Sequence, residues 1–233
     1  KGIKLCNKSD PHFNQCLEAS IPEGIRTLAN GKRELGIPNL VPLLIDKIEI
    51  NADSKQPNSL TQKVQKRCHL WDARYVHDQH EVHNYIFLID LDKDCYWQVD
   101  VHHPQIKMES DYEIKGQFIT FPINSHGKCN ITMKNMANTQ HMTCERYTKD
   151  GETYLRLKTY TIQLTSEDVS FYFSDVFPQN EHIAVEVNKV LKENSVAVFN
   201  DLKPGFEKAF SSIFKEITNS VFSKIPMKYI FPE

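Results

Sequence analysis

The C-terminal part of the chain carries a long amphipathic pattern between residues 181 and 222. Apolar residues recur every three or four positions, and mainly Lys and Glu fill the opposite face, which is typical of a helix. A single helix of this length would run on the order of 60 Å, so a long and curved partner is needed to cover it. The apolar positions are Ile183, Val187, Val190, Leu191, Phe199, Leu202, Phe206, Phe210, Ile213, Phe214, Ile217 and Val221.

The middle of the chain, residues 60–165, alternates apolar and polar positions as strands do. Residues 149–151 (KDG) predict the clearest hairpin turn. Residues 92–94 (DKD) and 124–127 (NSHG) also indicate turns between strands.

One run in this region changes the parity of its apolar positions. Apolar residues share one parity from Ile106 to Phe118 and take the other parity from Ile119 to Ile123. We interpret this switch as a bulge within one very long strand.

The N-terminal segment predicts a short helix that starts at Asp10 and Pro11. Pro22 is expected to kink or divide it, and Gly31 to stop it. The sequence therefore predicts one α+β domain over residues 1–233, in which a highly curved, long-stranded antiparallel sheet wraps around a long C-terminal helix, with a short N-terminal helix.

Charge and hydropathy argue against a nucleic-acid-binding protein and against a membrane-spanning protein. Lys and Arg total 28 against 30 Asp and Glu, with no basic stripe for nucleic acid. The apolar runs are too short to span a bilayer, so no stable membrane insertion is expected. No secretory signal is visible at Lys1, and the numbering fits a mature N-terminus from which a signal has been removed.

Cysteine usage favours an extracellular compartment. The chain has six cysteines, an even count without a Cys-x-x-Cys pair. Cys6 and Cys16 bracket a short polar segment, and we predict a disulfide between them. Asn-x-Ser/Thr sequons at Asn7 and Asn130 are candidate glycosylation sites.

The other four cysteines leave their pairing open. A Cys68–Cys95 bridge fits two strands flanking one antiparallel region. Cys129 and Cys144 would lie about 50 Å apart on a continuous strand, so they can bridge only if the chain folds back near residues 135–138.

Six segments, taken in order, resemble the insect Takeout and juvenile-hormone-binding protein family. They are CNKSDPHFNQCLEASI, GIPNLVPLLIDKIEI, HPQIKMESDYEIKGQFITFPI, KDGETYLRLKTYTIQL, VNKVLKENSVAVFNDLKPGFEKAF and VFSKIPMKYIFPE. The resemblance covers nearly the whole chain. The chain departs from the family pattern at residues 124–127, at Asn194-Ser195, in the four additional cysteines and in the His-rich stretch.

The resemblance implies a relative of the tubular lipid-binding proteins, in which a tunnel between sheet and helix holds one extended apolar ligand. The expected protein is a secreted carrier in a haemolymph-like fluid, with an isoprenoid, carotenoid, quinone or juvenile-hormone-like terpenoid as its ligand and no other cofactor. We favour a long neutral molecule over a free fatty acid. A receptor or another carrier protein is a further candidate partner.

The residues predicted to line the tunnel come from both helices and from the strands. They are Phe13, Leu17, Tyr112, Phe118, Phe121, Met133, Met142, Leu157, Phe199, Phe206, Phe210 and Phe214. Tyrosines on the strands could supply hydroxyls to a polar head group or point outward; the candidates are Tyr112, Tyr154, Tyr160 and Tyr172.

Metal binding and catalysis are the less favoured interpretations. His77, His80 and His83 are spaced for neither a strand face nor a helix face, so a solvated loop explains them better than a metal site. The chain has no Gly-x-Ser-x-Gly or His-Glu-x-x-His motif, and we expect no enzyme. The alternatives to a carrier are a secreted receptor-facing or structural protein with a side-chain-filled core and, least favoured, an enzyme on the same scaffold.

Overall fold

The structure is a computed structural model that describes residues 4–51, 60–71, 86–91, 95–118 and 121–233. For some of these strand residues the structure describes only the backbone and not the side chain. They are residues 46–47, 49–51, 60–71, 86–88, 90, 115–118 and 121–123.

The described residues form four α-helices, one 3-10 turn and seven strands, and the predicted α+β class is confirmed. The helices are α1 (Phe13–Thr27), α2 (Glu181–Glu193), α3 (Ser195–Phe222) and α4 (Met227–Ile230), with the 3-10 turn at Arg33–Leu35. The strands are β1 (Leu43–Asn51), β2 (Leu60–Trp71), β3 (Ile86–Asp90), β4 (Tyr96–Phe118), β5 (Phe121–Lys149), β6 (Glu152–Thr165) and β7 (Asp168–Phe173).

One antiparallel sheet contains all seven strands. Its main path is β1-β2-β4-β5-β6, while β3 pairs with β4 and β7 pairs with β5. The 29 residues of β5 are enough to pair with β7 over one part of its length and with β6 over another. A long sheet of this kind, with a long helix near the C-terminus and a short one near the N-terminus, is the predicted architecture.

The predicted hairpin at residues 149–151 is confirmed, and the predicted turn at 124–127 is wrong. Asp150 and Gly151 join β5 to β6 with φ values of 51° and 78°, as a tight hairpin turn requires. Residues 124–127 instead lie inside β5 and pair with β4. Gly127 is needed there for close packing, since a Cβ at this position would lie 2.7 Å from the Ser174 carbonyl oxygen.

The predicted bulge within one very long strand is also wrong, because the parity switch separates two paired strands, β4 and β5. Residues 119 and 120 themselves lie outside the described residues. Phe118 ends β4, Phe121 begins β5, and these two residues pair directly. A parity switch within the strands occurs elsewhere. On β5 the buried positions change from odd to even at Asn135, where the backbone adopts a positive φ of 47°.

The predicted single C-terminal helix is two helices that meet at Asn194. With φ −116° and ψ 23°, this residue leaves the helical region and caps both α2 and α3. Its side-chain amide donates to the Val190 carbonyl, which satisfies one of the unpaired carbonyls at the end of α2.

The N-terminal helix differs in detail from the prediction. It begins at Phe13, because Asp10 closes a preceding turn by accepting a hydrogen bond from the His12 amide at 2.8 Å. Pro22 lies within the helix without dividing it. Gly31 has a φ of 76° shortly after the helix ends, as expected for a stop signal.

Two separate clusters of buried apolar residues lie between the sheet and the helices. The first core joins β1, β4, β5, β6 and β7 with α2 and the N-terminal half of α3, and includes Ile48, Met108, Ile131, Met133, Phe199 and Phe206. The second core joins β4, β5 and β6 with α1, α4 and the C-terminal end of α3, and includes Phe13, Leu17, Trp97, Met142, Leu157 and Phe222. Tyr160 packs against both cores, so it marks the region between them.

Helix α3 lies along β6, which ends the main path of the sheet. Polar side chains of the helix accept hydrogen bonds from backbone N–H groups of the strand: Glu207 from Leu164, Ser211 from Ile162 and Asn219 from Leu157. These bonds fix the position of the helix relative to the sheet.

Candidate ligand-binding interior

Most of the predicted lining residues are packed into one of the two cores. Tyr112, Met133, Phe199, Phe206 and Phe210 belong to the first core. Their close packing makes them part of the structural framework, since Phe206, for example, is only 1 % exposed.

The remaining predicted residues fall into three groups. Phe13, Leu17, Met142 and Leu157 are buried in the second core. Phe118 and Phe121 belong to strands, but their side chains lie outside the described part of the structure. Phe214 alone among the described candidates is partly buried.

Phe214 belongs to a stretch of α3 whose burial differs from the rest of the helix. Buried residues recur regularly from 199 to 210, whereas every residue from 211 to 221 keeps accessible surface. Ile213, Phe214 and Ile217 are apolar and pack against the first core without being enclosed by it. This stretch therefore presents half-buried apolar surface between the two cores.

We call this region the central section, and define it by Asn138, Gln140, Tyr160, Ile213, Phe214 and Ile217. The Tyr160 and Phe214 rings approach each other with their centroids 6.4 Å apart. Tyr160 thus connects the sheet side of the central section with the helix side.

Polar groups are present on the sheet side of the central section. The Tyr160 hydroxyl donates to Gln140 Oε1, and Gln140 Nε2 donates to Asn138 Oδ1 at 2.7 Å. Burial raises the pKa of Tyr160 well above its usual value of 10.0. The hydroxyl is therefore a neutral hydrogen-bond donor at physiological pH.

Tyr112 has a structural role, in contrast to Tyr160. Its hydroxyl donates to the Ser174 carbonyl at 2.5 Å and lies 3.4 Å from the Ser125 hydroxyl. Its ring meets Phe173 edge-on at 5.1 Å. Burial raises its pKa, and the hydrogen bond to Ser125 acts in the opposite direction. Its hydroxyl already has a partner in the loop that follows β7.

The sequence did not single out Asn138 and Gln140. They alternate with Met136 and Met142 along β5, and both methionines are buried. The segment MANTQHM therefore held a usable signal, since polar residues stand at its inward-facing positions.

The structure contains the predicted Cys6–Cys16 disulfide, with Cα atoms 5.8 Å apart. The suggested Cys68–Cys95 pairing is wrong, because Cys95 is bonded to Cys144. Cys129 and Cys144 lie on one continuous strand and do not bridge, as the sequence predicts for that case.

The strand register explains this pairing. The Cys144 amide donates to the Cys95 carbonyl at 2.9 Å, where β4 and β5 run side by side. Cys129 lies far along the same continuous strand as a buried free thiol, 3.0 Å from the Ser110 hydroxyl. Cys68 belongs to β2, and its side chain lies outside the described part.

Asn7 and Asn130 both have exposed side chains. Glycosylation at these sequons stays a prediction.

The described residues offer neither a metal cluster nor a membrane-spanning helix. Within them, no three His, Cys, Asp or Glu side chains are grouped so that they could hold a metal ion. His77, His80 and His83 lie outside the described residues. No helix in the described part combines the length and the apolar character needed to cross a bilayer.

Comparison with known proteins identifies the family of the chain. Residues 1–232 match the model of the haemolymph juvenile hormone binding protein family. The chain belongs to this family. The predicted resemblance is confirmed.

Curated relatives of this family member come from fruit flies. It is 22 % identical over 233 residues to the circadian clock-controlled protein daywake of Drosophila melanogaster, covering 98 % of this chain and 86 % of that protein. The match to daywake of Drosophila yakuba is 25 % identical over 146 residues, covering 62 % of this chain and 56 % of that protein.

A solved structure supports the fold of this family member. The crystal structure of Takeout 1 from Epiphyas postvittana matches with a TM-score of 0.79 and 19 % identity, covering 99 % of this chain and 100 % of the other. At this identity the match shows that the two chains share a fold.

Proposed function

We propose that this protein carries one extended lipophilic ligand, and that the ligand lies in the central section between the two cores. The observation that carries the proposal is the half-buried apolar surface of α3 between residues 211 and 221. Membership of the juvenile hormone binding protein family supports it. Removing such surface and the ligand from water stabilises the complex by roughly 25 cal/mol per Å².

The ligand we favour is long and neutral, such as an isoprenoid, a carotenoid, a quinone or a juvenile-hormone-like terpenoid. Among residues whose burial the structure describes, the fully buried polar ones are four serines and Asn138, and all are uncharged. A free fatty acid would bring a carboxylate into this interior without a buried cation in the described part to pair with it.

Secretion into an extracellular fluid belongs to the same proposal. The two disulfides, Cys6–Cys16 and Cys95–Cys144, are typical of proteins from an oxidising compartment. A receptor or another carrier that exchanges the ligand is a candidate partner.

A second candidate function is a receptor-facing or structural protein with a filled core. The tight packing of Phe199 and Phe206, two residues that the family resemblance predicts to line a tunnel, favours this alternative. Catalysis is the least favoured function on this scaffold.

Organic extraction of the protein, purified from insect cells, followed by mass spectrometry separates the two candidates. A carrier yields an extended neutral lipid at close to one molecule per chain, and a polyene ligand also gives visible absorption. The Ile217→Trp variant, which fills the central section, should lose most of the lipid. Glu216→Trp is the matched control, because it adds the same ring at an exposed position of the same helix. If the protein neither co-purifies with a lipid nor binds one added to it, the carrier proposal is wrong.

A further inference from the structure

The inner face of β5 carries two amides in an otherwise apolar row. Met136, Asn138, Gln140 and Met142 occupy alternate positions and therefore share one face of the sheet. The two methionines belong to different cores, Met136 to the first and Met142 to the second. The amides thus lie where the two cores meet.

The hydrogen bonds among these side chains run in one direction. Tyr160 donates to Gln140, and Gln140 donates to Asn138. Asn138 accepts this bond through Oδ1, which leaves the two N–H groups of Nδ2. Within the described part of the chain, no group accepts a hydrogen bond from that nitrogen, which keeps some accessible surface although the residue is only 6 % exposed.

The other fully buried polar residues in the described part have local structural partners. Ser20 pairs with the Cys6 sulfur, Ser110 with the Cys129 sulfur, Ser125 with the Tyr112 hydroxyl, and Ser166 with the Lys134 carbonyl. Internal hydrogen bonding accounts for these serines, whereas it leaves the amide nitrogen of Asn138 unexplained.

A second unpaired donor lies on the neighbouring strand. Trp97 is 7 % exposed, faces Met142 across the β4–β5 pair, and its indole N–H has no partner. On the described inner face of the sheet, the two groups that lack a partner, in Trp97 and Asn138, are both N–H donors. Their missing partner is therefore a hydrogen-bond acceptor.

We propose that Asn138, held in place by Gln140 and Tyr160, donates a hydrogen bond to an acceptor oxygen of a neutral extended lipid. An ester or ketone carbonyl supplies such an oxygen, and a pure hydrocarbon does not. This inference rests on the proposed function, because it names the polar group that the same interior recognises.

The test compares two lipids with the same number of heavy atoms, methyl palmitate and nonadecane, delivered from cyclodextrin. Each displaces the neutral fluorescent probe N-phenyl-1-naphthylamine from the whole protein. Wild-type protein should bind the ester about tenfold more tightly than the hydrocarbon, since one good hydrogen bond in a desolvated site is worth about one decade in affinity.

Two variants locate the source of this preference. Asn138→Leu replaces the amide by a side chain of similar size without an N–H group. It should reduce the preference for the ester over the hydrocarbon to about twofold or less, while the affinity for the hydrocarbon stays unchanged. Tyr160→Phe should reduce it partly, because Gln140 then loses the donor that orients it. Ser125→Ala is the matched control, since it removes a buried hydroxyl outside the central section.

A spectroscopic measurement on wild-type protein keeps the inference testable if Asn138→Leu does not fold. The infrared carbonyl band of methyl palmitate, labelled with carbon-13 at the carbonyl, should lie at lower frequency when bound than in hexane, and Tyr160→Phe should reduce this shift. Equal affinities together with a hexane-like band would overturn the inference and leave the carrier function standing. Failure of both lipids to displace the probe would overturn both.

Discussion

Leu157 of β6 and Asn219 of α3 are joined by two hydrogen bonds that run in opposite directions. The Leu157 amide donates to Asn219 Oδ1 at 2.7 Å, and Asn219 Nδ2 donates to the Leu157 carbonyl at 3.3 Å. The Asn219 side chain thus pairs with the backbone N–H and C=O of Leu157, as a neighbouring strand would otherwise do. It protects an edge whose free N–H and C=O groups would invite pairing with another chain.

The spacing of the helix matches that of the strand. Glu207, Ser211, Lys215 and Asn219 are four residues apart, and each hydrogen-bonds to the β6 backbone. At the first step, four helical residues rise about 6 Å, and the two strand residues from Leu164 to Ile162 rise about 6.6 Å. The later partners, Lys158 and Leu157, are spaced unevenly because the strand register shifts there. One polar row of α3 can therefore follow β6 over several turns.

We predict that Asn219→Ala lowers the free energy of unfolding by about 1–3 kcal/mol, because it leaves the buried Leu157 amide without a partner. Urea denaturation followed by circular dichroism measures this change. Glu216→Ala, at an exposed position of the same helix, should change stability by no more than about 0.5 kcal/mol. Equal effects of the two substitutions would show that the edge contact does not stabilise the fold.

Two phenylalanines of α3 should respond differently to truncation. Phe206→Ala should cost roughly 3–5 kcal/mol of stability, because it opens a cavity in the packed first core. Phe214→Ala should cost less, about 1–2 kcal/mol, because the side chain is only partly buried. Lipid affinity should fall for Phe214→Ala and hold for Phe206→Ala. Displacement titrations and urea melts on both variants measure the two effects, and the opposite ranking of affinities would contradict the position of the central section.

The second disulfide should be found between Cys95 and Cys144. Mass spectrometry of a non-reducing digest should detect these two cysteines in one linked pair of peptides, whereas a Cys68–Cys95 peptide would show that the register of β4 and β5 is wrong. The bridge closes a loop with a sequence separation of 49 residues. By the chain-entropy model such a loop contributes about 4 kcal/mol to stability, so a Cys95→Ala, Cys144→Ala double variant should unfold at a much lower urea concentration.

The buried thiol of Cys129 should make stability depend on alkaline pH. Burial is the main cause that raises its pKa from 9.0 to about 11 in the folded chain. An unfolded chain ionises this thiol first, so its contribution is fully present below about pH 9 and is lost as the pH rises towards 11, by about 2–3 kcal/mol in total.

Urea denaturation at a series of pH values between about 8 and 10.5 tests this contribution. The free energy of unfolding should fall more steeply with pH for wild-type protein than for Cys129→Ala. Parallel curves would mean that the thiol is solvated in the folded state. In the folded protein at neutral pH, iodoacetamide should leave Cys129 unmodified, because thiols react as thiolates.

Patterns that depend on nearby residues could be predicted from the sequence. The hairpin at Asp150 and Gly151 needs only two residues that accept positive φ. The Cys6–Cys16 bridge closes a short loop whose ends stay close in any compact conformation. Long amphipathic periodicity in α3 and alternation in β4–β6 were strong enough to predict the fold class.

Features that depend on a distant partner were predicted wrongly. Residues 124–127 have the composition of a turn, yet they lie within β5, where Gly127 allows the Ser174 backbone to approach. The apolar stripe at 181–222 predicts one continuous helix because its period continues across Asn194, where a single capping residue ends α2 and begins α3.

The apolar faces of the strands and helices, the position of the tight turn at Asp150 and Gly151, and membership of the family could all be predicted without the structure. The folded structure was needed to show which part of the α3 stripe is packed, which part keeps accessible surface, and that Cys95 is bonded to Cys144. It alone brought Tyr160 of one strand to Gln140 and Asn138 of the next. Burial and hydrogen bonding at each of these positions depend on residues far away in the chain, because strand register and helix docking bring those residues into contact.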